Sequence, residues 1–298
     1  MNDTKKTAIT NADQLLQNAL IHHYAIAHIN ANNLEWIKSI IEVANDTKTP
    51  IMIGFSPNAI KYMGGFKCCA DMCYDISNEI NVNNIPIVIH LDHGSYDDCL
   101  KAIDAGFTSV MFDGSKLSFS ENFAKSQAIV KLCKEKDISV ELELGKIGVD
   151  QKNGELANID ECKEFAKLIP NSLAVGIGNI HGIYPSDWAG LNFDHLAKIH
   201  NALPNLPLVL HGGTGIDNWQ ITKAISLGIC KININTECQL AFQKALRQYF
   251  SDQKDLDLAK KGYDPRKILG YGMVAVKQTI IDKLTSLREN PNRPQGLY

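Results

Sequence analysis

Short, β-branched and almost wholly apolar runs alternate along the chain with longer stretches in which apolar residues recur every three or four positions. The runs predict eight strands, over residues 24–30, 50–56, 85–92, 109–115, 139–145, 172–179, 206–213 and 230–236. A run such as Ile85-Pro86-Ile87-Val88-Ile89 has no polar face, which suits parallel strands covered on both sides. Helical periodicity fills the gaps over residues 34–44, 97–105, 121–136, 159–168, 193–201 and 218–227. This alternation predicts the α/β class and a closed (β/α)₈ TIM barrel rather than an open sheet. From Cys238 onward the pattern is a long helix, a break at Tyr263-Asp264-Pro265-Arg266 and a further helix, so additional C-terminal helices follow the barrel. With no internal repeat and no low-complexity linker, one domain is expected over residues 1–298. The last ten residues, rich in Asn and Pro, are expected to fray or wrap on a neighbour.

Composition narrows the function classes. Hydrophobic residues make up 45% and charged residues 21%, the balance of a globular chain able to bury a large core. A formal net charge of -3 gives no basic field for nucleic acid or an anionic membrane. Any phosphate on a substrate must therefore be caught by local groups. Residues 1–18 are polar, with Lys5 and Lys6 but no apolar run behind them, so no signal peptide is expected. No window reads as a membrane span, and a cytoplasmic location is expected. The eight cysteines are scattered, and Cys68, Cys69 and Cys73 lack the paired spacing of a zinc ribbon or redox motif. They read as incidental thiols in a reducing cytosol.

Barrel active sites collect at the C-terminal ends of the strands. The third predicted strand ends in His90-Leu91-Asp92-His93-Gly94, the sixth runs into Gly178-Asn179-Ile180-His181-Gly182, and the seventh into Leu210-His211-Gly212-Gly213-Thr214-Gly215. A lone histidine at a strand end is usually a hydrogen-bonded rim residue. Three on separate strands, each followed by Gly, point instead to a metal site formed by His93, His181 and His211, with a fourth position open to a substrate oxygen. His90 competes with His93, which is preferred for standing at the strand's end. His22, His23, His28, His195 and His200 have no such context. Gly212-Gly213-Thr214-Gly215 and Asn233-Ile234-Asn235-Thr236 follow strands seven and eight, the usual place of a barrel's phosphate cradle. Alternation puts Glu141 and Glu143 on one face, away from Leu142 and Leu144, and Asp113 lies near a neighbouring strand end. Asp92, beside His93, is the best-placed general acid or base.

These motifs together resemble the class II, metal-dependent ketose-bisphosphate aldolases, the group that includes fructose- and tagatose-bisphosphate aldolases. The resemblance runs from about residue 24 to 277 and includes Asn32-Asn33-Leu34-Glu35, Tyr62-Met63-Gly64-Gly65, Glu143-Leu144-Gly145, Lys231-Ile232-Asn233-Ile234-Asn235-Thr236-Glu237 and Asp264-Pro265-Arg266 besides the histidine segments. It implies that His93, His181 and His211 hold a catalytic Zn²⁺ and that Asp92 handles the hydroxyl proton at the cleaved bond. It implies that Gly182, Gly212, Gly213, Thr214, Asn233, Ile234, Asn235 and Thr236 bind dihydroxyacetone phosphate. Asp113 and Glu143 correspond to carboxylates that hold a second or displaced metal ion in some members, and a monovalent cation near the phosphate is also implied. The implied activity is reversible cleavage of fructose 1,6-bisphosphate to dihydroxyacetone phosphate and glyceraldehyde 3-phosphate by a homodimer or homotetramer. A Schiff base on Lys231 or Lys146 is the competing route, made unnecessary by three histidines.

The chain departs from the family in two places. Members usually carry a Gly-Gly-x-Glu-Asp loop after the fifth strand, whose Glu moves a proton. Here the segment is Gly148-Val149-Asp150-Gln151-Lys152-Asn153-Gly154-Glu155, with Gln151 near the expected Glu and Asp150 or Glu155 as substitutes. Beyond His181-Gly182 a Tyr-Lys-Gly segment is replaced by Tyr184-Pro185-Ser186-Asp187-Trp188, which predicts an altered aldehyde pocket. Asn235 is closer to fructose-type than tagatose-type members. Two readings compete: a metal-dependent barrel hydrolase, disfavoured because Ala27-His28-Ile29-Asn30 offers a single His, and a non-catalytic relative that only binds metal and sugar phosphate.

Overall fold

In a computed structural model the described residues are 8–148 and 154–288. Eight parallel strands close into a barrel in sequence order: β1 Ile26–Asn30, β2 Ile51–Phe55, β3 Ile87–Gly94, β4 Ser109–Phe112, β5 Ser139–Leu144, β6 Ser172–Val175, β7 Leu208–Leu210 and β8 Ile229–Ile234. Closure is made by β1 on β8, with Ile26 opposite Lys231 and His28 opposite Asn233. The helices are α1 Asp13–His22, α2 Leu34–Thr47, α3 Pro57–Tyr62, α4 Phe66–Ile80, α5 Tyr96–Ala105, α6 Phe119–Glu135, α7 Ile159–Ala166, α8 Phe193–Ala202, α9 Asn218–Ser226, α10 Thr236–Ser251 and α11 Pro265–Arg288.

Each strand turns alternate residues outward, where Ile29, Ile53, Ile89, Leu142 and Ile232 join the core beneath the helices. Helix starts follow local chemistry. Ser95 and Ser118 form reciprocal capping boxes with Asp98 and Glu121 at α5 and α6, and Asn33, Asn158 and Asn192 cap α2, α7 and α8. α10 and α11 form a hairpin, and α11 packs on α2.

The N-terminal mouth of the barrel is plugged. α1 lays Ala12, Leu15, Leu16 and Ala19 against Ile26, Met52, Val88 and Cys230. This helix was not expected from the polar N-terminal stretch, because only a narrow stripe of it is apolar. α3 and α4 also go beyond the expected set.

Strands six and seven are shorter than expected. β6 stops at Val175, so His181 stands on a loop, and β7 stops at Leu210, so His211 is the first residue past it. Backbone groups here leave the ladder for other partners: Asn192 N–H donates to Ile177 O, and Asn179 Nδ2 to His211 O.

Candidate active site

A β-bulge puts two neighbouring side chains on the same rim. β3 pairs His90 with Ser109 and Leu91 with Val110, then Gly94 with Phe112, spending three residues where β4 spends two. His93 takes the extra position with φ 53°. In a regular strand Asp92 and His93 would face opposite ways; the bulge turns both into the cleft.

The three predicted ligands converge. His93 Nε2 lies 2.9 Å from His211 Nδ1, and one nitrogen from each of His93, His181 and His211 lies within 4.8 Å of the others. The outer nitrogens of two rings face carboxylates: His93 Nδ1 is 3.0 Å from Asp113 Oδ2, and His211 Nε2 is 2.9 Å from Glu141 Oε1. Those contacts put each N–H on the carboxylate side, so the inner nitrogens meet as two lone pairs. Only a shared proton or cation makes such an approach favourable, and this fits the residues to a metal ion.

The electrostatics agree. Burial, with His93 next to it, lowers His181 to about 4 and pushes His211 well below its ordinary range. Burial also opposes charge on His93, but Asp92, the Asp113 hydrogen bond and Glu143 overcome it and raise His93 to about 9. A cation binding at neutral pH therefore displaces about one proton, and its grip weakens as pH falls. Glu143 is lifted to about 8 by burial, against the pull of His93, whereas Asp113 overcomes its own burial through His93 and Ser115 and is depressed. Asp113 and Glu143 both stand on the Nδ1 side of His93, so the two candidate ion positions share that ring.

Asp92 is buried, with Asn30 Nδ2 donating to one carboxylate oxygen at 2.8 Å and Asn233 Nδ2 to the other at 3.1 Å. Burial works against its charge, yet His93, His28, His211 and Lys231 hold it well below the carboxylate range. It is thus ionised at neutral pH.

A cleft of about 200 Å³ opens above these groups, lined by Asp92, His93, His181, Gly182, Gly212, Thr214, Asn233, Asn235 and Thr236 together with Asn30 and Ser56. α10 begins at Thr236, so a helix N-terminus opens on the cleft, as an anion requires. Two of the expected phosphate residues are placed differently. Gly213 N–H is taken by Asn233 O at 2.9 Å, and the Ile234 side chain points outward into the core. Asn30 and Ser56 were missed, although both end a predicted strand and strand ends were the guide.

Gly212 is needed where it stands: its φ is +69°, and a Cβ there would lie 2.0 Å from Ile180 O. The segment with the unusual Tyr184-Pro185 sequence is tied into this contact. Tyr184 Oη donates to Gly212 O at 2.8 Å and accepts from Ile180 N–H at 3.1 Å, while Trp188 Nε1 donates to Gly178 O. Tyr184→Phe leaves both backbone groups unpartnered, at a cost of about 1–3 kcal/mol. The expected result is a lower melting temperature and a KM raised roughly ten-fold with metal content unchanged; steady-state kinetics and metal analysis check it.

The proposed substitutes for the loop Glu fare unevenly. Asp150 and Gln151 lie outside the described residues. Glu155 is exposed and ion-paired with Lys146 at 2.9 Å, on the wall of a neighbouring cavity of about 330 Å³ that also touches Glu143. The structure does not bring it into the histidine cleft. His90, the rival ligand, is enclosed in the barrel with Nδ1 2.8 Å from Ser109 Oγ. His28, expected to have no role, is equally enclosed and stacks edge-on with it at 5.1 Å. Gly54 leaves the room that the His28 ring fills, since a Cβ there would lie 1.9 Å from Nε2. This buried polar layer gave little signal, because each member sits in an otherwise apolar strand.

Comparison with known proteins agrees with the geometry. The family model described as fructose-bisphosphate aldolase class-II matches residues 10–291. The chain is 50% identical over 281 residues to the fructose-bisphosphate aldolase of Ureaplasma parvum, covering 93% of this chain and 96% of that protein. It is 50% identical over 280 residues to that of Mycoplasma genitalium, with the same coverage of 93% and 96%. Among solved structures, the YdjI aldolase of Escherichia coli superposes with a TM-score of 0.80 at 30% identity, over 96% of this chain and 100% of that one. The barrel, the histidine cluster and these matches agree in assigning the chain to the class-II fructose-bisphosphate aldolase family of metal-dependent lyases.

Proposed function

We propose that the protein is a zinc-dependent aldolase that reversibly cleaves fructose 1,6-bisphosphate to dihydroxyacetone phosphate and glyceraldehyde 3-phosphate. The observation that carries this reading is the convergence of His93, His181 and His211, with the outer nitrogens of His93 and His211 committed to carboxylates. A Zn²⁺ held by these rings supplies Lewis-acid stabilisation for the negative charge that cleavage leaves on the ketone half. Asp92, anchored by Asn30 and Asn233, takes the hydroxyl proton at the bond being broken. Gly182, Gly212, Thr214, Asn235 and Thr236 line the cleft and would hold the phosphate of the dihydroxyacetone half, where a monovalent cation would help to balance its charge. Asp113 and Glu143, with His93, form a second position for a metal ion.

The lysine route is disfavoured by placement. Lys231 is enclosed and paired with Glu141, and Lys146 is paired with Glu155 outside the cleft. A cytoplasmic location suits eight free thiols, and no helix among the described residues is long and apolar enough to cross a membrane. A homodimer or homotetramer would cover Leu258 and Val274, apolar side chains exposed at 73% and 67%.

The test is a cleavage assay on fructose and tagatose bisphosphates with and without a chelator. Activity on the fructose substrate is expected to vanish on chelation and return with zinc. Chelator-resistant activity, or inactivation by borohydride in the presence of substrate, overturns the metal mechanism; preference for the tagatose substrate overturns the substrate.

A further inference from the structure

Beneath the cleft, two charged side chains that reach no substrate are locked inside the barrel. Glu141 on β5 and Lys231 on β8 are 1% and 0% exposed. One Glu141 oxygen lies 2.9 Å from His211 Nε2, and the other lies 2.8 Å from Lys231 Nζ. Neither side chain lines the cleft. A buried ion pair is a poor source of stability, since apolar residues of similar volume commonly do as well. A role directed at its third member is the better account.

We propose that Glu141 and Lys231 are a positioning pair for His211, resting on the metal-centre reading above. Glu141 accepts a hydrogen bond from the Nε2–H of His211, which fixes the tautomer and leaves the Nδ1 lone pair facing the His93 and His181 cluster. Lys231 holds the opposite oxygen and supplies the counter-charge, so the carboxylate stays in place within the barrel. The register makes this arrangement available. Glu141 and Glu143 both face inward, at successive levels of β5, and serve different imidazoles: Glu141 supports His211, while Glu143 lies 3.6 Å from His93 Nδ1.

The experiment compares wild type with Glu141→Gln, Lys231→Met and the double variant, all in the full chain. Zinc affinity is read by competition with a chromophoric chelator, the ligand field by visible absorption of the Co²⁺ form, and folding by circular dichroism of the metal-free proteins. Each single variant is expected to bind zinc about 10–100-fold more weakly with an altered Co²⁺ spectrum while remaining folded. Folded variants with wild-type zinc affinity and spectrum overturn the proposal and leave the metal centre standing. A wild type that binds neither zinc nor Co²⁺ overturns the metal centre as well. Should the variants fail to fold, histidine-ring ¹⁵N spectra of the zinc-loaded wild type decide: a proton on His211 Nε2 supports the positioning role, and one on Nδ1 overturns it.

Discussion

Asp92→Ala is expected to lower kcat for cleavage by about 10²–10⁴ while the protein stays folded and keeps its zinc. Asp92 is not one of the three converging imidazoles, so metal content tests the separation directly. Alanine is the informative replacement. Asn30 and Asn233 both point amide donors at the carboxylate, and an asparagine at this site would turn a donor against one of them. A second measurement sharpens the assignment. Solvent exchange of the dihydroxyacetone phosphate C–H proton involves no hydroxyl at the cleaved bond and should persist in the variant. Cleavage within a few-fold of wild type, or exchange lost in step with cleavage, would remove Asp92 from its role. Retained exchange would also rule out a protein that only binds metal and sugar phosphate.

His211→Ala should weaken zinc binding by more than about 100-fold, because loss of a mere supporting partner already costs 10–100-fold. The expected readout is less zinc per chain after dialysis and abolished cleavage restored only at high added zinc. Truncation also strips Glu141 of a partner inside the barrel, so the metal-free variant should be less stable by about 1–3 kcal/mol. His90→Ala is the control. His90 bonds Ser109 and lies within the barrel rather than at the cluster, so its removal should leave zinc content near wild type. Zinc lost from His90→Ala would invert the choice between His90 and His93 as the third-strand ligand, and zinc retained in His211→Ala would remove His211 from the ligand set.

Much of the barrel was legible from periodicity. β-branched apolar runs can be buried on both faces only as strands between helix layers, and all eight appear near their expected positions. Strand ends were less legible, because a strand stops where backbone groups find other partners, as at Ile177 and Asn179. α1 is polar on most of its surface and becomes core only by lying across the open end of a barrel.

By itself the sequence determined the barrel and the identities of the three converging histidines, since ordered strand ends carry that information in one dimension. It also marked Asp92 and the loops after strands seven and eight that line the cleft. Only the tertiary structure decided that Asp92 and His93 share a rim, because one surplus residue in the pairing of β3 with β4 is a property of two strands. It alone placed Lys231 and His211 on either side of the Glu141 carboxylate, with Glu141 and Lys231 90 positions apart in the chain. It also withdrew the Gly213 N–H from the proposed phosphate site by pairing it with Asn233 O. The physical reason is common to all three. Hydrogen bonds and ion pairs depend on distances of a few ångströms between separate strands, and closing the barrel is what sets those distances.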